Sequence, residues 1–243
     1  MAAWRSLQAV PTAAMERIPE PELMDDAEQA LAYAAADFAA SDQAMVDALL
    51  ARYGAELGPA IVDLGCGPGN ITFLLAEALA ERDPAATVLG VDGAAAMLAI
   101  AEERRRRSPR PAAVAFHHEL LPCPSLAGRG FSALVSNSLL HHLHDPQVLW
   151  QAVRRLAAPG AVVLVQDLRR PADEAGVQEL LERHGAGLEP IVRRDYLHSL
   201  RAAFRLVEVR DQLQQAGLGC LEVEAIGEQY LEVRGRLPGR LAP

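Results

Sequence analysis

The 243-residue chain contains no lysine; all 23 of its basic residues are arginine. So one-sided a choice reads as a coding bias, and arginine counts therefore carry little functional weight. Cysteine is scarce as well. Cys66, Cys123 and Cys220 are an odd number at wide spacings, without a CxxC pair, which argues against a disulfide framework and against a zinc-ligand spacing. That usage fits a reducing compartment, and a cytoplasmic protein is expected. No run of 18 apolar residues occurs, so no membrane-spanning helix and no membrane partner are expected. The first residues, MAAWRSLQAVPTAAMER, lack the compact apolar stretch and cleavage site of a secretory signal. With 32 acids against 23 arginines the net charge is −9, the wrong sign for a protein that grips a phosphate backbone, so no nucleic-acid partner is expected.

What is present is a large apolar fraction, 51%, enough for a substantial core. The N-terminal part reads as helical. Pro21 and the acids after it mark one helix start; Ser41 is the expected N-cap of a second helix that stops at Gly54. A different rhythm follows. Short β-rich runs (AIVDL, TVLGVD, AAVAF, FSALVS, AVVLVQDL) alternate with helical segments such as ITFLLAEALAERD and PQVLWQAVRRL. Strands that are apolar throughout, separated by amphipathic helices, imply a mostly parallel sheet covered on both faces, the doubly wound α/β architecture. Residues 169–206 are too long for a simple connection and read as two helices forming a cap. After them come a helix closed by Gly217 and two strands around Gly227, an antiparallel C-terminal hairpin. The organisation expected is a loose tail over 1–18 and one domain over 19–243. Within it, 19–54 and 169–206 are helical caps, 55–168 is the core, and 207–243 is the last helix and hairpin.

The most informative stretch is IVDLGCGPGN, residues 61–70. A strand that runs into a glycine-rich turn and then a helix is a device for binding an anion or a nucleotide. Glycine allows positive φ and close approach of a ligand, and the next helix offers free N–H groups. A nicotinamide or flavin site wants G-x-G-x-x-G; here the glycines are Gly65, Gly67 and Gly69, and Asn70 stands where the third should be. A Walker loop is excluded, because no G-K-[ST] follows.

VDLGCGPGN resembles motif I of the class I S-adenosylmethionine (SAM) dependent methyltransferases. VLGVDGAAAML resembles the family's second-strand segment, VSNSLLHHLHDP its fourth-strand segment and LAAPGAVVLVQD its late helix and fifth strand. Four co-linear matches over about residues 55–168 are specific; the loop alone would not be. The resemblance implies a seven-stranded sheet and SAM as cofactor, with S-adenosylhomocysteine as product. It implies that Asp63 faces the ammonium group, directly or through water, that Gly65, Cys66, Gly67, Gly69 and Asn70 carry the methionyl chain, and that Asp92 before Gly93 takes the ribose hydroxyls. Met97 is expected against adenine, with His118 and Glu119 nearby, and Ser136 and Asn137 at the fourth-strand end. The bland alternatives are a bracing acid at Asp63, a plain turn at Asp92–Gly93 and a core methionine at Met97.

The donor is thus indicated, and the acceptor is approached by exclusion. Ser136-Asn137-Ser138-Leu139 is not the N/D-P-P-Y/F motif of amino-methylating DNA enzymes. Pro122-Cys123 precedes the fourth strand rather than following it, as a cytosine-C5 nucleophile would. The scattered cysteines do not form the thiolate cluster an arsenic methylator needs. His141 and His142 follow the fourth strand, where the family presents the methyl group, and either imidazole has the ordinary pKa of a general base. With His144 they are spaced poorly for one helix face, and no acid pair lies at a matching distance, so no metal site is expected. Arg169, Arg170, Tyr196 and Arg201 are candidates for holding the acceptor. The reading is a methyltransferase acting on a small-molecule acceptor, with these arginines allowing for an anionic one. The alternatives are an RNA or protein methyltransferase and a non-catalytic SAM-binding module.

Overall fold

The computed structural model describes residues 15–80 and 82–239. Its strands are β1 (Ala60–Leu64), β2 (Thr87–Asp92), β3 (Val114–His118), β4 (Phe131–Asn137), β5 (Ala157–Leu168), β6 (Glu222–Ile226) and β7 (Tyr230–Arg236). They form one sheet in the order β3-β2-β1-β4-β5-β7-β6. The first five pair in parallel, and β7 runs antiparallel between β5 and β6. The helices are α1 (Ala27–Ala35), α2 (Ala39–Tyr53), α3 (Asn70–Ala80), α4 (Ala95–Arg107), α5 (Gln147–Leu156), α6 (Glu174–Gly185), α7 (Pro190–Ala202) and α8 (Leu206–Gln215).

Packing explains the lack of polar alternation in the strands. Successive side chains point to opposite faces, and both faces are covered. In β4, Ala133 and Val135 join a core with Met45 and Leu49 of α2 and Leu75 of α3. Leu134 joins the opposite core, with Trp150 of α5 and Leu213 of α8. Trp150 is fully buried, and its indole N–H donates to Gln212 Oε1 at 3.1 Å, so its one polar group stays satisfied. The expected hairpin turns at Gly227 with φ +56°, and the last helix is followed by Gly217 at φ +67°.

Three local expectations are corrected. The first helix starts at Ala27, six residues after Pro21, because Asp26 supplies the cap: its carboxylate accepts from Gln29 N at 2.9 Å. The second starts at Ala39, so Ser41 is inside its first turn and donates back to Phe38 O at 2.9 Å. Residues 15–18 of the expected loose tail are tied down; residues 1–14 lie outside the described residues. Met15 N donates to Ala172 O and Ile18 N to Arg201 O. The Arg17 guanidinium donates to the carbonyls of His141 and Leu143 and lies 4.1 Å from the centroid of the Phe204 ring. Residues 15–26 thus form a strap that joins the cap helix α7 to the turn after β4. In α7, Leu200 is buried, and it packs with Leu197 against Leu168 and Leu180.

Candidate active site

β1 and β4 are neighbours in the sheet, and from them the strand order departs in opposite directions. A ligand in an open α/β sheet binds at such a switch point, outside the carboxyl ends of the strands. A cavity of about 840 Å³ opens there, lined by the loop after β1, the end of β2, the end of β4, the strap and α7.

The loop is built by close approach. Gly65 has φ +70°, and a Cβ there would sit 2.7–2.8 Å from the Leu139 side chain. Gly67 has φ +52°, and a Cβ there would meet nothing within 4 Å, so its bare face looks into free space. Asp92 organises this backbone: its carboxylate accepts from Gly67 N at 2.8 Å and from Ala94 N, at the start of α4, at 2.7 Å. Arg104 of α4 supports it from outside, donating to Pro68 O at 2.8 Å and Asn70 Oδ1 at 2.6 Å. Residues Asp63, Gly65, Cys66, Gly67 and Asn70 all line the cavity. So do Asp92, Gly93, Met97, Glu119 and Asn137. Met97 also packs with Ala30 and Ala94, so it serves as core and as wall.

Three of the cofactor candidates fall outside the lining. Ser136 is buried and its hydroxyl donates to Leu64 O, bracing β4 on β1. His118 is exposed and bonds to Gly93 O at 3.0 Å. A Cβ on Gly69 would meet the rings of Phe73 and Phe116, so that glycine serves packing of the loop onto α3 and β3.

The cavity is rich in carboxylates. Asp63 is 1% exposed and accepts from Thr72 Oγ1 at 2.6 Å; burial pushes its pKa up to about 7. Asp42, which the sequence did not single out, comes from α2. It accepts from Asn70 Nδ2 at 3.0 Å and Asn137 Nδ2 at 3.3 Å, and burial pushes its pKa up to about 6. The Oδ1 atom of Asn137 is buried without a partner. Two desolvated carboxylates and an orphaned amide oxygen at one end of a cavity are a set of acceptors waiting for a cation. The ammonium and sulfonium of SAM meet that demand, and the open face at Gly67 gives its chain room. The residues present therefore fit SAM.

At the other end lies a buried pair. His141 is 3% exposed, its Nδ1 is 2.6 Å from Asp167 Oδ1, and the second oxygen of Asp167 accepts from Leu140 N at 2.7 Å. Burial pulls the His141 pKa down, but the charge and hydrogen bond of Asp167, with the charge of Glu20, outweigh it and leave the imidazole above its ordinary value. His142 lies against it, ring centroids 4.3 Å apart. Burial and the neighbouring His141 push His142 down to about 3, so this ring is neutral. Glu20, on the strap, reaches both rings at 3.5 Å. The expectation of no metal site rested on the absence of an acid pair at a matching spacing; the fold brings Glu20 to these rings from 121 residues away.

Of the acceptor candidates, Tyr196 lines the cavity and its hydroxyl donates to Gln229. Arg169, Arg170 and Arg201 do not line it. Arg169 donates to Glu228 O, Arg170 is buried against Glu208 and Ala203 O, and Arg201 pairs with Glu174. Each leaves the cavity because an acid or carbonyl on α6, α8 or the final hairpin turn takes its guanidinium. Arg194 is the arginine within the lining.

This sheet order, with a glycine loop at the switch point and an acid at the tip of β2, defines a Rossmann-like protein that binds a nucleoside cofactor. The comparisons with known proteins narrow the class. Residues 62–163 match the family model described as "Methyltransferase domain". An uncharacterized methyltransferase of Mycobacterium tuberculosis is 30% identical over 139 residues, 57% of this chain and 66% of that protein. A trans-aconitate 2-methyltransferase of Methylobacterium radiotolerans is 39% identical over 118 residues, 49% of this chain and 41% of that protein. The chain spans between about two-fifths and two-thirds of the length of these curated relatives. The crystal structure of a SAM-dependent methyltransferase from Aquifex aeolicus superposes with a TM-score of 0.63, at 16% identity, over 86% of this chain and 98% of that one, which shows the shared fold. Over residues 62–163 the chain is thus similar to a methyltransferase domain, and its fold is shared with a SAM-dependent methyltransferase. Among the described residues no helix is long and apolar enough to cross a membrane.

Proposed function

We propose that the protein transfers a methyl group from SAM to a small-molecule acceptor. One observation carries the reading: a single cavity joins the acceptor-rich glycine-loop end to the buried His141–Asp167 pair, beneath the strap and α7. Asp92 would hold the ribose hydroxyls, Met97 the adenine, and Asp63, Asp42 and Asn137 Oδ1 the ammonium. SAM, when bound, supplies an electrophilic methyl on a cationic sulfonium. The chain positions the acceptor and excludes water, which is most of what such a transfer asks of a protein. Asp167 accepts the Nδ1 proton of His141, which leaves Nε2 to take a proton from a hydroxyl, thiol or amine. Asp167 is a positioning residue in this scheme.

A macromolecular acceptor is the weaker reading, because the strap and α7 cover the cavity and the net charge is −9. Relatives named trans-aconitate 2-methyltransferase support a small and anionic acceptor. Three free cysteines, two of them buried, support a cytoplasmic location. Calorimetry with SAM and S-adenosylhomocysteine tests the donor. A screen of small acids, phenols and thiols with methyl-labelled SAM tests the acceptor. Failure of both cofactor forms to bind would sink the proposal, and binding without transfer to any acceptor would leave a SAM-binding module.

A further inference from the structure

The His141–Asp167 pair and the strap residue Glu20 have a geometry that general-base chemistry does not require. Glu20 Oε1 stands 3.5 Å from His141 Nε2 and 3.5 Å from His142 Nδ1, and the ligand atoms of the three residues lie within 4.8 Å of one another. A charge-assisted hydrogen bond would close to about 2.7–2.9 Å. The spacing of 3.5 Å instead approaches the edge of a tetrahedron around an ion with ligands at about 2.0–2.1 Å, which is roughly 3.3–3.4 Å.

The surroundings match a metal site as well. Asp167 holds His141 through Nδ1, the carboxylate–histidine arrangement that orients a ligating imidazole and turns its Nε2 lone pair toward the ion. The Ser199 hydroxyl donates to Glu20 Oε1 at 3.0 Å and fixes the carboxylate from α7. All three side chains are largely buried, at 8%, 3% and 13% exposure, yet line the cavity. Three protein ligands facing a cavity leave a coordination position open, as catalytic sites do and closed structural sites do not.

We propose that Glu20, His141 and His142 bind a divalent cation of the zinc type, whose open position takes an oxygen or sulfur atom of the methyl acceptor. The inference rests on the methyltransferase reading for the identity of that cavity ligand. It also supplies what Arg169, Arg170 and Arg201 do not: with those three engaged elsewhere and Arg194 of the lining paired with Asp195, the ion becomes the positive group that holds an anionic acceptor. Nitrogen and carboxylate ligands in this ratio favour zinc or cobalt over magnesium or calcium, which prefer oxygen alone. With the ion in place His141 is a ligand, and the acidity of the ion-bound acceptor replaces the need for a free base.

The test uses the full chain, stripped with a chelator and titrated with Co²⁺ alone. The expected result is one Co²⁺ per chain, with the visible absorption of a tetrahedral ion, displaced by Zn²⁺. Glu20→Gln and His142→Ala should each weaken Co²⁺ binding at least tenfold, while both variants keep wild-type affinity for S-adenosylhomocysteine. The proposal is overturned if the wild-type chain takes up no Co²⁺ at micromolar concentration, or if both variants bind it as the wild type does. The homocysteine-form titration on the same samples reports separately on the donor site, so a failed metal site and a failed methyltransferase reading give different results.

Discussion

Replacing Asp42 by Asn tests the cation end of the cavity. Asp42 is 5% exposed, accepts from Asn70 and Asn137, and has a pKa raised from 3.8 to about 6, chiefly by burial. The upward shift is roughly two units at about 1.36 kcal/mol each, so keeping the charge at pH 7 costs the ligand-free fold on the order of 3 kcal/mol. The sign follows from the direction. A folded-state pKa above the unfolded value means stability that is present at low pH and lost as pH rises through about 6. Asp42→Asn keeps the size and removes that cost, and it gives up hydrogen bonds to a charged acceptor. The ligand-free melting temperature should therefore hold or rise. Donor binding should fall, because one charge-assisted contact to the ammonium is on the order of 1.5–3 kcal/mol, or about 10- to 150-fold in affinity. Wild-type affinity for S-adenosylhomocysteine should also drop as pH falls from 8 to 5, with Asp63 (about 7) and Asp42 (about 6) taking up protons. In the variant that dependence should lose about one proton. Calorimetry across that pH range, with melting curves alongside, reads both quantities. Unchanged affinity, or a loss that appears only with a lower melting temperature, refutes a direct role for Asp42.

Three further outcomes are expected. Gly67→Val places a branched side chain at φ +52° on the face that looks into the cavity, so the variant should fold but bind S-adenosylhomocysteine at least tenfold more weakly. Asp167→Asn should lower kcat by about 10²- to 10⁴-fold with little change in cofactor affinity, because it frees His141 rather than the donor site; an unchanged kcat removes the pair from the reaction. Deleting residues 1–16 should leave cofactor affinity intact. Deleting 1–40, which removes Glu20, the strap and α1, should expose the cavity and be visible as faster hydrogen exchange in the glycine loop; equal exchange in the two truncations refutes the covering role of the strap.

Some of this protein is written in short stretches of chain. The apolar runs, the glycine loop of residues 65–69, the acid at the tip of β2 and the histidines after β4 each depend on neighbours within a few residues, and so they were legible in the sequence together with the sheet they imply. Helix starts at 27 and 39 were less legible, since capping turns on which of several acids or hydroxyls points back at the chain. The partners of the site residues were not legible. Glu20 meets His141 across 121 residues, Asp42 meets Asn137 across 95, and Asp167 meets His141 across 26. No periodicity encodes such meetings, because they arise where strand ends, strap and cap converge. The same convergence redirected the arginines. Arg169, Arg170 and Arg201 lie at plausible positions for an anion, but tertiary partners on α6, α8 and the final hairpin turn take their charge first. Local sequence determined the strands and the donor loop, because apolar runs and glycine placement are set within a few residues even where the pairings they enter are distant; only the tertiary structure decided which buried carboxylates and imidazoles face the cavity, because burial and pairing are properties of the whole fold.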